Sequence, residues 1–155
     1  MLQAGQAAPS FNTVNQANKA VSLANFKGEK NVLLYFYPKD DTPGCTIQAN
    51  QFTALAKEYA EVNTVVLGVS KDNCDSHCKF IAKFDLQIDL LADIDGSLCE
   101  SYGVWKEKVR NGVASMGIAR STFLIDKTGN LAYCEYGVSP EGHAQAMLEK
   151  SANLA

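Results

Sequence analysis

The chain has 155 residues, of which 46% are hydrophobic and 20% are charged, and its net charge is −3. This size and composition are ordinary for a globular protein with one hydrophobic core, so we expect a single domain over residues 1–155. The small negative charge argues against a nucleic-acid partner, and no apolar run approaches the roughly 20 residues that a membrane span needs.

The first half of the chain alternates strand and helix patterns. In chain order, they predict a short hairpin over residues 11–22, a buried strand over 31–37, a helix over 45–60, a second buried strand over 64–69 and a second helix over 74–84. Apolar runs as continuous as those of the two strands are typical of the interior of a parallel sheet.

The second half predicts a different connection between strands. The patterns indicate a short strand over residues 90–92, a helix over 96–102, strands over 122–125 and 131–136, and a last helix over 141–150. The turn residues 126–130 (DKTGN) between two apolar runs indicate an antiparallel hairpin. Parallel crossovers followed by a hairpin predict an α/β fold, with a mixed central sheet and helices on both faces.

Five cysteines are spread along the chain: Cys45, Cys74, Cys78, Cys99 and Cys134. An odd number in a chain of this size is untypical of a secreted disulfide framework. Residues 1–6 (MLQAGQ) have neither the basic region nor the apolar segment of a secretory signal. We therefore expect a cytoplasmic protein, whose cysteines are buried small hydrophobes, metal ligands or catalysts.

The most informative stretch is Thr42-Pro43-Gly44-Cys45, which follows the first buried strand. In open α/β sheets a reactive group is expected just beyond the carboxyl end of a central strand. Cys45 also opens the predicted helix, where backbone N–H groups lack an intrahelical acceptor and the helix dipole favours a thiolate over a thiol. The position therefore predicts that Cys45 is a nucleophile.

Residues 35–46 (YFYPKDDTPGCT) resemble the peroxidatic signature of peroxiredoxins, and most closely that of the Q-type group, also called bacterioferritin comigratory proteins. The resemblance covers nearly the whole chain and continues in residues 68–70, 76–77, 90–93, 102–105 and 120–126. It implies a thioredoxin-like fold and a cofactor-free enzyme that reduces hydrogen peroxide and small organic hydroperoxides. It also implies recycling by thioredoxin or a similar dithiol protein, and a monomer is expected.

By this resemblance the catalytic set is Cys45, Thr42, Arg120 and Pro38, with Cys45 as the peroxidatic residue. Arg120 would supply a permanent cation beside the thiolate, because a guanidinium stays protonated and offers several donors. The Thr42 hydroxyl can accept a hydrogen bond from the peroxide and donate one to its oxygens. Pro38 lacks an N–H group and restricts the loop, which helps to exclude water and hold geometry.

A sulfenic acid on Cys45 must be captured by a second thiol, or it is exposed to over-oxidation. Many Q-type members carry that resolving cysteine five residues later, but this chain has Asn50 there, which excludes that mechanism. Other members place it in the next helix, so we predict Cys78 as the resolving residue, with Cys74 as the second choice. A disulfide needs Cα atoms within about 7 Å, so we expect local unwinding before the bond forms.

Several alternatives remain open. The enzyme is a one-cysteine peroxidase resolved by an external thiol if neither helix cysteine resolves, and a redox sensor if Cys45 reacts without turnover. A disulfide oxidoreductase is disfavoured, because residues 45–48 (CTIQ) lack the second cysteine of a C-x-x-C motif. Cys74, His77 and Cys78 lie at i, i+3 and i+4, but no fourth ligand is evident and no metal is expected. Cys99 and Cys134 are predicted to be packing residues.

Overall fold

The structure is a computed structural model that describes residues 1–154; residue 155, the last of the predicted domain, lies outside the described residues. The strands are β1 (Asn12–Val14), β2 (Ala20–Ser22), β3 (Asn31–Phe36), β4 (Thr64–Ser70), β5 (Asp89–Ala92), β6 (Trp105–Arg110), β7 (Val113–Ile118), β8 (Ser121–Ile125) and β9 (Leu131–Tyr136). The helices are α1 (Pro43–Ala54), α2 (Ala56–Glu61), α3 (Cys74–Phe84), α4 (Ser97–Ser101) and α5 (His143–Ala152).

The central sheet has five strands in the order β5-β4-β3-β8-β9. Strands β3, β4 and β5 are parallel to one another, whereas β8 is antiparallel to both β3 and β9. All six residues of β3 (NVLLYF) are buried, as a strand covered on both faces requires. The predicted mixed sheet is therefore confirmed.

The side chains of β3 alternate between two hydrophobic clusters. Leu33 and Tyr35 pack in a cluster that includes residues of α1, α2, α3 and α5, while Leu34 and Phe36 pack with residues of α4 and of the N-terminal hairpin. Helices therefore cover both faces of the sheet, as predicted. Within residues 1–154, no helix combines the length and the apolar character that crossing a bilayer takes.

The register of β3 and β8 brings together two distant parts of the chain. Phe36, the last residue of β3, pairs with Ser121, the first residue of β8. Because the two strands are antiparallel, the loop that leaves β3 toward Cys45 and the residue that precedes β8, Arg120, lie at the same edge of the sheet.

The predicted helix over residues 45–60 is instead two helices, α1 and α2, which meet at Leu55. Leu55 leaves helical geometry with φ −103° and ψ 9°, although neither glycine nor proline is present to interrupt the helix. The break lets Tyr59 bury its ring and donate a 2.7 Å hydrogen bond to the carbonyl of Ala144 at the start of α5. Tertiary packing on α5 accounts for a break that local propensity does not predict.

A hairpin of β6 and β7 was missed in the sequence patterns. Its strands pair from Trp105 with Ile118 to Arg110 with Val113, and most of its side chains are exposed. The tip is Asn111-Gly112, both at positive φ (55° and 76°), which is the dipeptide that a tight hairpin turn favours. That dipeptide is the signal that would have predicted the hairpin.

Candidate active site

Cys45 lies in the first turn of α1, where the chain turns away from the end of β3. Thr42 is the N-cap residue, with extended backbone (φ −102°, ψ 156°), and Pro43 takes the first helical position, where a missing N–H group costs nothing. Cys45 is only 1% exposed. Cys45 thus lies in the turn whose backbone N–H groups have no intrahelical acceptor, as the sequence predicts.

Arg120 contacts Cys45 directly. Its Nη2 atom lies 3.4 Å from the Cys45 sulfur, and its Nη1 atom donates a 2.7 Å hydrogen bond to Oε1 of Gln48. The backbone of Arg120 is also held, because its carbonyl accepts a 2.8 Å bond from the N–H of Val138. A cation that stays charged is thus aimed at the sulfur, which stabilises negative charge there.

Gln48 belongs to this site although its role was not predicted. It follows Cys45 by one helical turn, so both side chains lie on one face of α1. Gln48 is fully buried, and its Nε2 atom has no hydrogen-bond partner within residues 1–154. A glutamine on the apolar face that also carries Ala49 and Phe52 was the available signal, since a buried amide needs a polar partner.

Thr42 and Pro38 lie on the loop beside the site but do not bond to the sulfur in this conformation. The Thr42 hydroxyl donates a 2.9 Å hydrogen bond to the carbonyl of Lys39, and the side chain is partly exposed. Its oxygen keeps lone pairs that can accept from a substrate hydroxyl. Pro38 is exposed at the end of β3.

The wall of the site on the sheet side is Tyr35. Its ring stacks on Phe52 with centroids 4.6 Å apart, and its hydroxyl is buried without a hydrogen-bond partner among the described residues. Burial raises the pKa of Tyr35 far above its ordinary value, and the proximity of Cys45 and Asp40 raises it further. Tyr35 therefore stays a neutral phenol, and it contributes an apolar surface rather than a charge.

The two candidate resolving cysteines lie on α3 and face the turn of the N-terminal hairpin. The Cys74 thiol donates to the carbonyl of Asn15 at 3.3 Å, and the exposed Cys78 thiol donates to the carbonyl of Gln16 at 3.0 Å. Cys45 is buried in the first turn of α1. In this conformation all three cysteines are free thiols.

The residues weighed as metal ligands do not converge. His77 is buried and uses both ring nitrogens, Nδ1 at 2.8 Å from the Asp40 carboxylate and Nε2 at 2.9 Å from the carbonyl of Leu91. Cys74 and Cys78 point instead to the hairpin turn. Over the part of the chain that the structure describes, no three His, Cys, Asp or Glu side chains form a group suited to a metal ion.

The remaining cysteines lie in less reactive surroundings. Cys99 is fully buried at the start of α4, and burial together with the neighbouring Asp93 carboxylate raises the pKa of its thiol. Burial also raises the pKa of Cys134 on β9. Both thiols therefore stay protonated at neutral pH, which disfavours them as nucleophiles.

Comparison with known proteins gives one family. The AhpC/TSA family matches residues 4–134. A Helicobacter pylori protein named putative peroxiredoxin bcp is 45% identical over 148 residues, which are 96% of this chain and 97% of that relative. Peroxiredoxin Bcp of Bacillus subtilis is 45% identical over 130 residues, which are 84% of this chain and 82% of that relative.

Solved structures give the same result. The bacterioferritin comigratory protein of Xanthomonas campestris, solved in a study of its alkyl peroxide reduction activity, has a TM-score of 0.90 at 33% identity and covers 97% of this chain and 98% of its own. A cysteine-to-serine variant of Xanthomonas campestris peroxiredoxin Q has a TM-score of 0.91 at 34% identity, covering 99% of this chain and 100% of its own. These matches confirm the predicted thioredoxin-like fold.

Proposed function

The chain belongs to the AhpC/TSA family and is a thiol peroxidase, a peroxiredoxin, and from that premise we propose how its own residues carry out the reaction. Cys45 is the peroxidatic residue, Arg120 and Thr42 assist it, and Pro38 restricts the loop. The contact of 3.4 Å between Arg120 Nη2 and the Cys45 sulfur carries this assignment.

The first step is attack of the Cys45 thiolate on one oxygen of the peroxide. A sulfur–oxygen bond forms, the O–O bond breaks, and the sulfur is oxidised by two electrons to a sulfenic acid. The leaving oxygen departs as an alkoxide or hydroxide, takes up a proton, and becomes an alcohol or water. Arg120 stabilises the negative charge that moves from sulfur to oxygen, and the Thr42 hydroxyl aligns the peroxide by hydrogen bonding.

The substrates that this site suits are hydrogen peroxide and small organic hydroperoxides. Tyr35 is fully buried in the same hydrophobic cluster as Cys45, so the surroundings of the reacting sulfur are apolar on the side of the sheet. A relative from Xanthomonas campestris was solved in a study of alkyl peroxide reduction. Both observations favour a site that accepts an alkyl group as well as hydrogen.

In the second step Cys78 captures the sulfenic acid. Its thiol attacks the oxidised sulfur, a disulfide forms, and the hydroxyl leaves as water. Cys78 is the more exposed of the two candidates, so it is freer to move than Cys74. Because Cys45 is only 1% exposed, the first turn of α1 must unwind to bring the sulfurs together. If neither cysteine reaches Cys45, an external thiol takes the same role.

A dithiol protein such as thioredoxin then reduces the disulfide. Its two thiols give two electrons and two protons to the Cys45 and Cys78 sulfurs and leave as a disulfide, so no cofactor enters the cycle. We place the protein in the cytoplasm as a monomer built from one domain over residues 1–155, with neither nucleic acid nor a membrane as partner. A reducing compartment is where such a cycle is sustained.

The experiment that tests this proposal is intact mass and a non-reducing peptide map after one equivalent of hydrogen peroxide. Loss of two hydrogens with Cys45 linked to Cys78 is the expected result. The variants Cys78→Ser and Cys74→Ser then identify the resolving residue, because only the first should abolish the intramolecular disulfide. Oxygen added to Cys45 alone would mean an external resolving thiol. An unmodified Cys45 would overturn the proposal, and oxidation without continued peroxide consumption in excess dithiol would mean a sensor.

A further inference from the structure

A buried carboxylate lies at the centre of a hydrogen-bond network outside the catalytic set. Asp40, 7% exposed, accepts hydrogen bonds from the Tyr37 hydroxyl at 2.6 Å, the Ser76 hydroxyl at 2.8 Å and Nδ1 of His77 at 2.8 Å. Burial by itself raises the pKa of Asp40, but the hydrogen bonds from these three donors reverse the effect and hold it below its ordinary value. Asp40 is therefore a carboxylate.

The partner of Asp40 is a histidine whose two ring nitrogens both face acceptors. Nε2 of His77 lies 2.9 Å from the carbonyl of Leu91, which can only accept, and Nδ1 faces the Asp40 carboxylate, which also only accepts. Asp40 and His77 thus form an ion pair that is almost wholly removed from water.

This ion pair joins the two segments that must separate and meet again during the catalytic cycle. Asp40 is in the loop between β3 and α1, two residues before Thr42, whereas His77 is on α3 between Cys74 and Cys78. The loop has a second, partly buried attachment, a 2.8 Å hydrogen bond from the Asp40 N–H to Asp72. Its other ion pair with α3, between Lys83 and Asp41, is exposed and contributes little.

We infer that the Asp40–His77 pair is a latch, which holds the Cys45 loop closed against α3 and limits the rate at which Cys45 becomes reachable. This inference rests on the proposed function, in which the closed loop performs the peroxide step and an open loop performs the capture step. Both steps compete for the same segment. An interaction that keeps the loop closed therefore favours the first and slows the second.

A role in fold stability alone does not account for this pair. A buried ion pair contributes little net stability relative to apolar residues of similar size, because both charges lose their hydration. Removing one partner is nevertheless costly, since the other charge is left unpaired. The pair therefore adds little to the stability of the whole fold. It nevertheless strongly favours one arrangement of the loop over the others.

Hydrogen exchange and two rate measurements test the latch. In Asp40→Asn and His77→Gln, amides of residues 40–50 should exchange about tenfold faster than in the wild type, because hydrogen bonds between charged groups are lost. The amide of Thr46, which donates to the Thr42 carbonyl, reports the first turn of α1. Capture of the Cys45 sulfenic acid should accelerate by about the same factor, while its formation by peroxide slows.

Two tyrosine variants give a matched comparison. Tyr37→Phe removes one hydrogen bond to Asp40, and Tyr102→Phe removes one 2.7 Å bond, to the carbonyl of Pro9, on the opposite face of the sheet. Tyr37→Phe should also accelerate exchange of residues 40–50, by up to about tenfold, since a hydrogen bond to a charged group is lost. Tyr102→Phe should leave that segment at the wild-type rate.

The outcomes separate the latch from the proposed function. Unchanged exchange in residues 40–50, equal acceleration over the whole chain, or a fall in both rates together would overturn the latch. The hydrogen-exchange experiment needs no peroxide. If Cys45 is not oxidised by peroxide in the wild type while the exchange pattern is as expected, the proposed function fails and the latch stands as a property of the loop.

Discussion

Gln48 holds the guanidinium of Arg120 in place, through a 2.7 Å hydrogen bond from Nη1 to Oε1. The same guanidinium reaches the Cys45 sulfur with its other terminal nitrogen, at 3.4 Å. One planar group thus bridges two side chains of α1 that are one helical turn apart. The direction of the cation at the reacting sulfur depends on a neutral amide that takes no part in the chemistry itself.

Replacing Gln48 with leucine should therefore slow the reaction of Cys45 with peroxide by about tenfold, since a hydrogen bond to a charged group is lost. The measurement is the second-order rate constant for Cys45 oxidation by stopped flow. Gln51→Leu is the matched control, because Gln51 is on the same helix and accepts a 3.0 Å bond from the Gly142 N–H instead. Equal slowing in both variants would argue against the positioning role of Gln48.

Gly44 leaves space for the guanidinium. A Cβ atom at this position would lie 3.0 Å from Nη2 of Arg120, so Gly44→Ala should displace the cation from Cys45. Alanine favours a helix over glycine by about 1 kcal/mol, so thermal stability should hold or rise while peroxide reduction falls. Asn50→Ala, at an exposed position of α1, is the control: it measures how much thermal stability a helix-favouring alanine adds by itself. Retained activity in Gly44→Ala would mean that the Arg120 side chain shifts without losing its contact with Cys45.

The Thr42 hydroxyl is tested by a pair of substitutions. Thr42→Val removes the hydroxyl at nearly constant shape, and Cys45 oxidation should slow by about a hundredfold, as for the loss of one donor that stabilises developing charge. Thr42→Ser keeps the hydroxyl and should retain most of the rate. A similar rate in both variants would leave Thr42 only as the N-cap of α1.

The Cys45 stretch and the strand that follows Arg120 are local patterns, and the sequence was sufficient to predict both. The register of β3 with β8 then brings the two together. The role of Gln48 was not predicted, because it depends on where the guanidinium of Arg120 lies in the folded protein. The break at Leu55 was missed for a similar reason, since it depends on packing of Tyr59 against α5.

The Asp40–His77 ion pair shows the same limit. Each residue lies in a segment that resembles the peroxiredoxins. Their pairing depends on how α3 docks beside the loop, which no local periodicity encodes. The directions of Cys74 and Cys78, toward Asn15 and Gln16, likewise follow from the docking of the N-terminal hairpin.

The last prediction concerns His143, at the start of α5. It is 6% exposed, and its Nε2 atom lies 2.8 Å from the Thr122 hydroxyl. Burial lowers the pKa of His143 below its ordinary value of 6.5, the nearby Glu135 carboxylate opposes this, and the Arg120 cation adds to it. The folded protein therefore prefers the neutral ring.

Because the unfolded chain binds a proton at His143 more readily than the folded one, stability should be fully present above the ordinary value of 6.5. It should fall as the pH drops from there toward the lower folded pKa. The melting temperature of the wild type and of His143→Gln, measured between about pH 5 and 8, checks this. The variant should melt lower at neutral pH, where the Thr122 bond is lost, but its curve should be flatter below pH 6.5. Parallel curves would show that protonation of His143 does not control the acid side of the stability profile.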